Sequence, residues 1–321
     1  MKQNSLLYYL LAGALVGLLL VLFLFLYFPP YDYSYRQTAN RRTFGSVMET
    51  LADPYYAAMD DKLRALAESR GDVLISRDAR QRGDKQLDQI YELISMKPDG
   101  IFISAVDWEQ IAPALKEAQR AGIPIIALDA SPDLQPVAAT VSTNPHTAGR
   151  LCAEDLQSRL GRCEILVLDQ PGNQYSESFM QGFRESLGEG YIIVGESNGG
   201  GQLAQSSIAC ASMLEEHAEA DVIVAINDQS AIGALASMER AGLDGKLLLY
   251  GVDGSPQARA AVEKGLMCGT VARYPYELAQ AASDAMYALL EEGTLEEPNK
   301  EVGISIITQE NITAFDTTSW Q

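Results

Sequence analysis

The chain has 321 residues and a formal net charge of −19, enough length for two domains with full cores. So acidic a chain repels nucleic acid and anionic lipid headgroups, which argues against both as binding partners. The acidic residues are spread along the sequence rather than gathered in a tail, as on a well-solvated surface.

After a short tail (residues 1–5), Leu6 to Phe28 is an uninterrupted apolar run without a charge, about the length that spans a bilayer. Tyr8 and Tyr9 mark one end and Tyr27, Tyr31, Tyr33 and Tyr35 the other, like the aromatic belts at membrane interfaces. The run is longer than a secretory h-region, and Phe28-Pro29-Pro30-Tyr31 has no small-x-small cleavage site, so a single-pass transmembrane helix over 6–28 is expected. Lys2 precedes it and Arg36, Arg41 and Arg42 follow, a balance that does not fix topology, because large domains translocate largely regardless of such charges. Residues 29–42 read as a polar, tyrosine-rich linker.

From Thr43 onward short β-branched runs alternate with longer amphipathic segments. Strands are expected at Phe44–Met48, Val73–Ser76, Gly100–Ser104, Pro124–Leu128, Val137–Val141, Glu164–Leu168, Ile192–Gly195, Val222–Ile226 and Leu247–Val252. Helices are expected at Tyr55–Ser69, Lys85–Met96, Trp108–Ala121, Thr147–Leu160, Ser176–Leu187, Ala204–His217, Ser230–Ala241 and Pro256–Glu263. The alternation implies an α/β fold with parallel sheets covered by helices on both faces. The βα unit recurs roughly every 25–30 residues, before Val137 and again after Cys163, so the chain reads as two similar doubly wound domains.

In open α/β sheets, ligands bind at the carboxyl ends of the strands. The first strand leads into Glu49-Thr-Leu-Ala-Asp53-Pro54-Tyr55-Tyr56, with Asp53 placed to cap a helix and Pro54 at its first position. Later strands lead into Asp129-Ala130-Ser131, Asp169-Gln-Pro-Gly-Asn-Gln-Tyr175-Ser-Glu177, Asn227-Asp228-Gln229-Ser230 and Asp253-Gly254-Ser255-Pro256. Helix capping accounts for any one of these as well as ligand contact does, and Asp228 and Ser230 read as caps. Asp129 and Asp253 end apolar strands and are the better ligand candidates.

Catalytic constellations are scarce. His146 and His217 are lone residues on helical segments, expected at the surface, and there is no G-x-S-x-G elbow, H-E-x-x-H helix or P-loop. Gly199-Gly200-Gly201 lacks the spacing of a dinucleotide fingerprint and reads as a turn. Cys152, Cys163, Cys210 and Cys268 show no C-x-x-C spacing, and the four read as small buried apolar side chains. No cofactor or metal site, and no enzyme, is expected.

Six segments in order, Asp53-Pro-Tyr-Tyr56, Gly122-Ile-Pro-Ile-Ile-Ala-Leu-Asp129, Asn144-Pro-His-Thr-Ala-Gly149, Asn227-Asp-Gln-Ser-Ala-Ile-Gly233, Gly251-Val-Asp-Gly-Ser-Pro256 and Ile307-Thr-Gln-Glu-Asn311, carry a resemblance. From about Thr43 to Phe315 the chain resembles the ribose- and galactose-type sugar-binding proteins of the type I periplasmic binding fold, which Lac-repressor-like ligand domains share. The amino terminus has no helix-turn-helix. The resemblance implies two lobes, 43–143 plus 274–301 and 144–273 plus 302–316, joined by three crossings, with solute bound between them by hinge closure. It implies ligand contacts from Glu49, Asp53, Tyr55, Tyr56 and Asp129 in the first lobe, Glu177, Asn227 and Asp253 in the second, and Arg273 at a crossing. It also puts the binding domain outside the membrane, handing a sugar to an ABC permease, or docking on a sensor such as a histidine kinase; a tethered hydrolase is a third reading.

The sequence departs from the family pattern. Ala130 and Glu177 stand where arginines are common, Gly199–Gln202 offers no aromatic, and Arg273 alone opposes five carboxylates. A ligand carrying positive charge, such as an amino sugar, or a sugar bound with a cation, is therefore expected; the alternative is that Glu49 and Glu177 point to water.

Overall fold

The computed structural model describes residues 41–130, 136–243 and 245–320. The span expected over Leu6–Phe28 lies outside them; among the described residues no helix is long and apolar enough to cross a membrane. All elements below belong to one unit, Arg42–Gln321.

The first sheet takes β1 (Thr43–Met48), β2 (Val73–Asp78), β3 (Gly100–Ile103), β4 (Ile125–Leu128) and β5 (Ala139–Ser142), with β11 (Asn299–Glu301) at its edge, in the order β11-β5-β4-β3-β1-β2. The second takes β6 (Cys163–Asp169), β7 (Tyr191–Asn198), β8 (Val222–Ala225), β9 (Leu248–Asp253), β10 (Gly269–Ala272) and β12 (Ser305–Thr308), in the order β12-β10-β9-β8-β6-β7. All pairings are parallel except β10 with β12. The central 2-1-3-4-5 order thus occurs twice, and it is one of the two common doubly wound arrangements. Strands β3, β4 and β8 are buried at every position, which is why they read as continuous apolar runs rather than alternating ones.

Helices α1 (Pro54–Ser69), α2 (Gly83–Ser95), α3 (Trp108–Arg120) and α9 (Pro275–Glu292) accompany the first sheet. Helices α4 (Pro145–Arg159), α5 (Gln174–Ser186), α6 (Leu203–Glu216), α7 (Asp228–Ala241) and α8 (Pro256–Glu263) accompany the second. Each sheet has an apolar cluster on both faces, for example Phe44, Met59, Phe102 and Met286 on one side of the first sheet and Ile90, Ile101, Ile111 and Leu115 on the other. The chain passes between the sheets after Ser142, after Ala272 and after Glu301.

Several expectations need correction. Strands β10, β11 and β12 and helix α9 have no counterpart among the expected elements. β10 and β12 are only four residues long, and β11 is a fully exposed Asn-Lys-Glu edge without apolar periodicity. Helix α9 does carry a buried stripe (Leu278, Ala279, Ala282, Met286, Tyr287), and its alanines blur the pattern. Cys152, Cys163 and Cys210 are buried as free thiols, but Cys268 is only partly so. His146 sits on α4 beside Glu185, with Nε2 2.8 Å from the carboxylate, whereas His217 is half-buried at the end of α6.

Candidate functional site

The strand exits divide into those that cap helices and those that do not. Asp53 Oδ1 accepts the Tyr55 amide at 2.8 Å, with Pro54 opening α1. Asn144, Asn173, Asn227 and Ser255 cap α4, α5, α7 and α8 in the same way. Among the described residues Asp129 and Asp253 cap no helix, and both have positive φ, 52° and 117° respectively. Non-glycine residues held there cost about 1–3 kcal/mol each and persist only where the surroundings impose them.

Those two carboxylates, from different sheets, converge on one guanidinium. Arg273, which follows β10, donates through Nη1 to Asp129 Oδ2 at 3.2 Å, and through Nε (2.9 Å) and Nη2 (2.5 Å) to Asp253 Oδ1. Its plane lies between two rings, 3.8 Å from the Tyr55 centroid and 4.1 Å from that of Tyr175. The Tyr55 hydroxyl donates to Asp129 Oδ2 at 3.0 Å, so helix α1 joins the same carboxylate. The Tyr175 hydroxyl is buried without a hydrogen bond of good geometry. Arg273 itself is 4% exposed.

The surroundings are acidic and dry. Glu49 is buried, and loss of hydration, reinforced by the nearby Asp53 charge, pushes its carboxyl up to about 8 despite a hydrogen bond with Tyr56. Burial likewise raises Asp53, against the pull of the Tyr55 amide. Burial also raises Asp253, opposed by Arg273, and it pushes the phenols of Tyr55 and Tyr56 well above their usual range. Burial works against the charge on Arg273, but the Tyr55 oxygen and the Asp253 carboxylate outweigh it and its pKa rises.

Three further contacts join loops that follow strands of different sheets. Asn227 Nδ2 donates to Asp53 Oδ2 at 3.1 Å. Gln81 Nε2 donates to the Gly200 carbonyl at 3.2 Å, and Gln202 Nε2 to Gln81 Oε1 at 2.7 Å. The Arg273 cluster is flanked by two cavities. One, about 510 Å³, shares Asp129 and Tyr175 with it and is also lined by Ala130, Ser142, Asn144, Pro145, Lys300 and Glu301. The other, about 400 Å³, lies beside Asp53, Gln81 and Gln202. Among the described residues no group of three His, Cys, Asp or Glu is placed to hold a metal ion.

The structure therefore brings together Glu49, Asp53, Tyr55, Tyr56, Asp129, Asn227, Asp253 and Arg273. It does not bring in Glu177, which is exposed and accepts the Gly172 amide at 3.2 Å, bracing its own loop. Helix α5 begins at Gln174 rather than Ser176, and its second residue, Tyr175, stacks on the Arg273 guanidinium. Asp228 is not a cap either: it is 1% exposed, takes the Ser255 amide (2.6 Å) and the Thr270 hydroxyl (2.7 Å), and is driven up to about 7 by burial. Gly199-Gly200-Gly201 is a turn, as expected, with φ of 60° at Gly200 and 65° at Gly201, but its carbonyls also take the Gln81 and Asn227 amides. Tyr175, Gln81, Gln202 and this turn were not singled out as contacts, and only Tyr175 gave a signal, as an aromatic after a strand.

Comparison with known proteins agrees with this fold. A family model described as "Periplasmic binding protein domain" matches residues 44–294. The ribose import binding protein of Bacillus subtilis (strain 168) is 24% identical over 261 residues, 80% of this chain and 85% of that protein. The D-allose-binding periplasmic protein of Escherichia coli (strain K12) is 25% identical over 249 residues, 73% of this chain and 80% of that protein. Among solved structures, the periplasmic binding protein component of the arabinose ABC transporter from Shewanella sp. ANA-3, bound to alpha and beta-L-arabinofuranose, superposes with a TM-score of 0.79. It is 26% identical, and the match covers 85% of this chain and 93% of that one. The repeated 2-1-3-4-5 sheets and the matched family model lead to one conclusion: the chain belongs to the periplasmic binding protein domain family.

Proposed function

We propose that this chain is an extracytoplasmic solute-binding protein that takes a sugar or a related small polar solute between two lobes and delivers it to an ABC-type permease. The lobes are 43–143 plus 274–301 and 144–273 plus 302–316, and the 6–28 segment tethers the protein to the membrane. The observation that carries this reading is the meeting of Asp129 and Asp253. They are carboxylates at the strand exits of two different sheets, strained, capping no helix among the described residues and aimed at one buried point. Carboxylates accept hydrogen bonds from hydroxyls in pairs, and each charge-assisted bond contributes roughly 1.5–3 kcal/mol. The aromatic faces of Tyr55 and Tyr175 suit the apolar C–H face of a ring. Relatives named for ribose, allose and rhizopine binding support the solute class.

A thermal-shift panel of pentoses, hexoses, inositols and amino sugars tests the reading, followed by calorimetry on any solute that responds. One chemical group is expected to raise the melting temperature with one-to-one stoichiometry. A panel without any response overturns it. Uptake of the responding solute by cells that carry or lack the gene separates delivery to a permease from signalling through a partner kinase, since tethering raises effective concentration near either partner.

A further inference from the structure

We propose that Arg273 is a built-in occupant of the solute seat, so that a solute binds by displacing it rather than by adding to it. This rests on the reading of the cleft as a solute site. The guanidinium has what a ring-shaped solute needs there: a flat face for each of Tyr55 and Tyr175, and donors for both Asp129 and Asp253. With the side chain in place, the space between the two rings is filled, and both carboxylates already have a partner. The lobes are also held together by the protein's own groups, since Asp129 directly follows β4 of the first sheet and Asp253 ends β9 of the second.

There is somewhere for the side chain to go. The cavity of about 510 Å³ adjoins the cluster through Asp129 and Tyr175, and the Glu301 carboxylate on its wall makes a long contact, 3.5 Å, with Asn144 Nδ2. The buried Tyr175 hydroxyl, near Thr143 but without a hydrogen bond of good geometry, gives an incoming solute a hydrogen-bonding position that Arg273 leaves unused. Displacement selects the solute class. Whatever replaces a guanidinium against the Asp129 and Asp253 carboxylates is favoured if it carries positive charge of its own. The seat thus fits a polyhydroxylated ring bearing an ammonium or amidinium group better than a neutral sugar of the same shape.

The test uses the full-length chain in detergent and ethylguanidinium as the probe, with ethylammonium as the control of equal charge but no flat face. In Arg273→Ala the vacated seat is expected to bind ethylguanidinium saturably, with a millimolar dissociation constant by calorimetry and a matching rise in melting temperature. Ethylammonium is expected to bind roughly tenfold more weakly, and the wild type to take up neither. Arg273→Gln, which keeps a donor for Asp253, is carried alongside in case the alanine variant does not fold, and is expected to show the same order of affinities. Equal uptake of the probe by wild type and variants, or none by a folded variant, overturns the proposal. The sign of a second effect separates it from the functional reading: for any solute found by the panel, a competitor's removal tightens binding, whereas loss of a contact weakens it. Binding of the probe without any sugar response would leave the occupant intact and remove the sugar reading.

Discussion

Asp53 and Asn227 each cap a helix with one side-chain atom and bind one another with the other. Asp53 Oδ1 holds the Tyr55 amide while its Oδ2 accepts from Asn227 Nδ2; Asn227 Oδ1 in turn holds the Ser230 amide at 2.9 Å. One pair of residues therefore starts α1, starts α7 and joins the loops of two sheets. Capping and cleft contact are not competing roles at these positions.

Replacing Asp53 separates the two roles. Asp53→Ala removes the cap and the cross-sheet bond, and is expected to lower stability by about 1–2 kcal/mol. Asp53→Asn keeps an acceptor for the Tyr55 amide and removes a carboxyl that burial already disfavours in its charged form. It sets an amide donor against Asn227 Nδ2, so the cross-sheet bond is lost while the cap stays, and it is expected to cost less than Asp53→Ala. Urea unfolding of the two variants against the wild type checks this, and equal losses would mean that the cap contributes nothing.

Glu49 supplies a pH dependence with a definite sign. Its carboxyl rises from an ordinary value of 4.5 to about 8 in the folded protein because burial removes its hydration. The folded state thus keeps a proton that the unfolded state releases. The contribution of this group to stability is fully present below about pH 4.5 and is lost as pH rises through 8, at up to about 1.4 kcal/mol per pH unit. Glu49→Gln has no proton to keep. Denaturant melts at pH 5 and pH 8.5 are expected to give variant and wild type similar stability at the lower pH, and a clear advantage to the variant at the higher one. Parallel curves would show that Glu49 titrates normally.

Helices α4 and α5 approach each other through two glycines. A Cβ on Gly149 would stand 2.0 Å from the Phe179 carbonyl oxygen, and one on Gly182 would stand 2.0 Å from that of His146. Within a helix, alanine is favoured over glycine by about 1 kcal/mol, so propensity alone predicts stabilisation. Backbone cannot yield as a side-chain tip can, and overpacking costs about 1–3 kcal/mol. Gly149→Ala and Gly182→Ala are therefore both expected to lower the melting temperature, and a rise in either would show that the helices separate freely.

How far the site was legible can be judged at the loop after β6. The run Ile165–Leu168 and the polar stretch behind it marked a strand followed by a helix, and both are there. The helix starts two residues earlier than its apolar spacing suggested, at Gln174. Each residue turns the chain by about 100° around the helix axis, so Tyr175 and Glu177 lie about 200° apart on α5 and only one of them can face the cluster. That is why Tyr175 lies in it and Glu177 faces water. Asp129 and Asp253 were legible because each ends an apolar run where a charged side chain has no structural use. Gly200 and Gly201 were not, because they contribute carbonyl oxygens, which every residue type carries. Asp228 shows the opposite limit: beside a true cap, its sequence neighbourhood could not reveal that Ser255 and Thr270 would reach it from other strands and loops.

The most direct measurement is a crystal structure of the protein with the solute that gives the largest thermal shift. The account predicts that solute between the Tyr55 and Tyr175 rings, with polar groups on Asp129 and Asp253 and Arg273 turned toward the cavity beside Glu301. A solute bound elsewhere, with the Arg273 guanidinium still between the two rings, would contradict it.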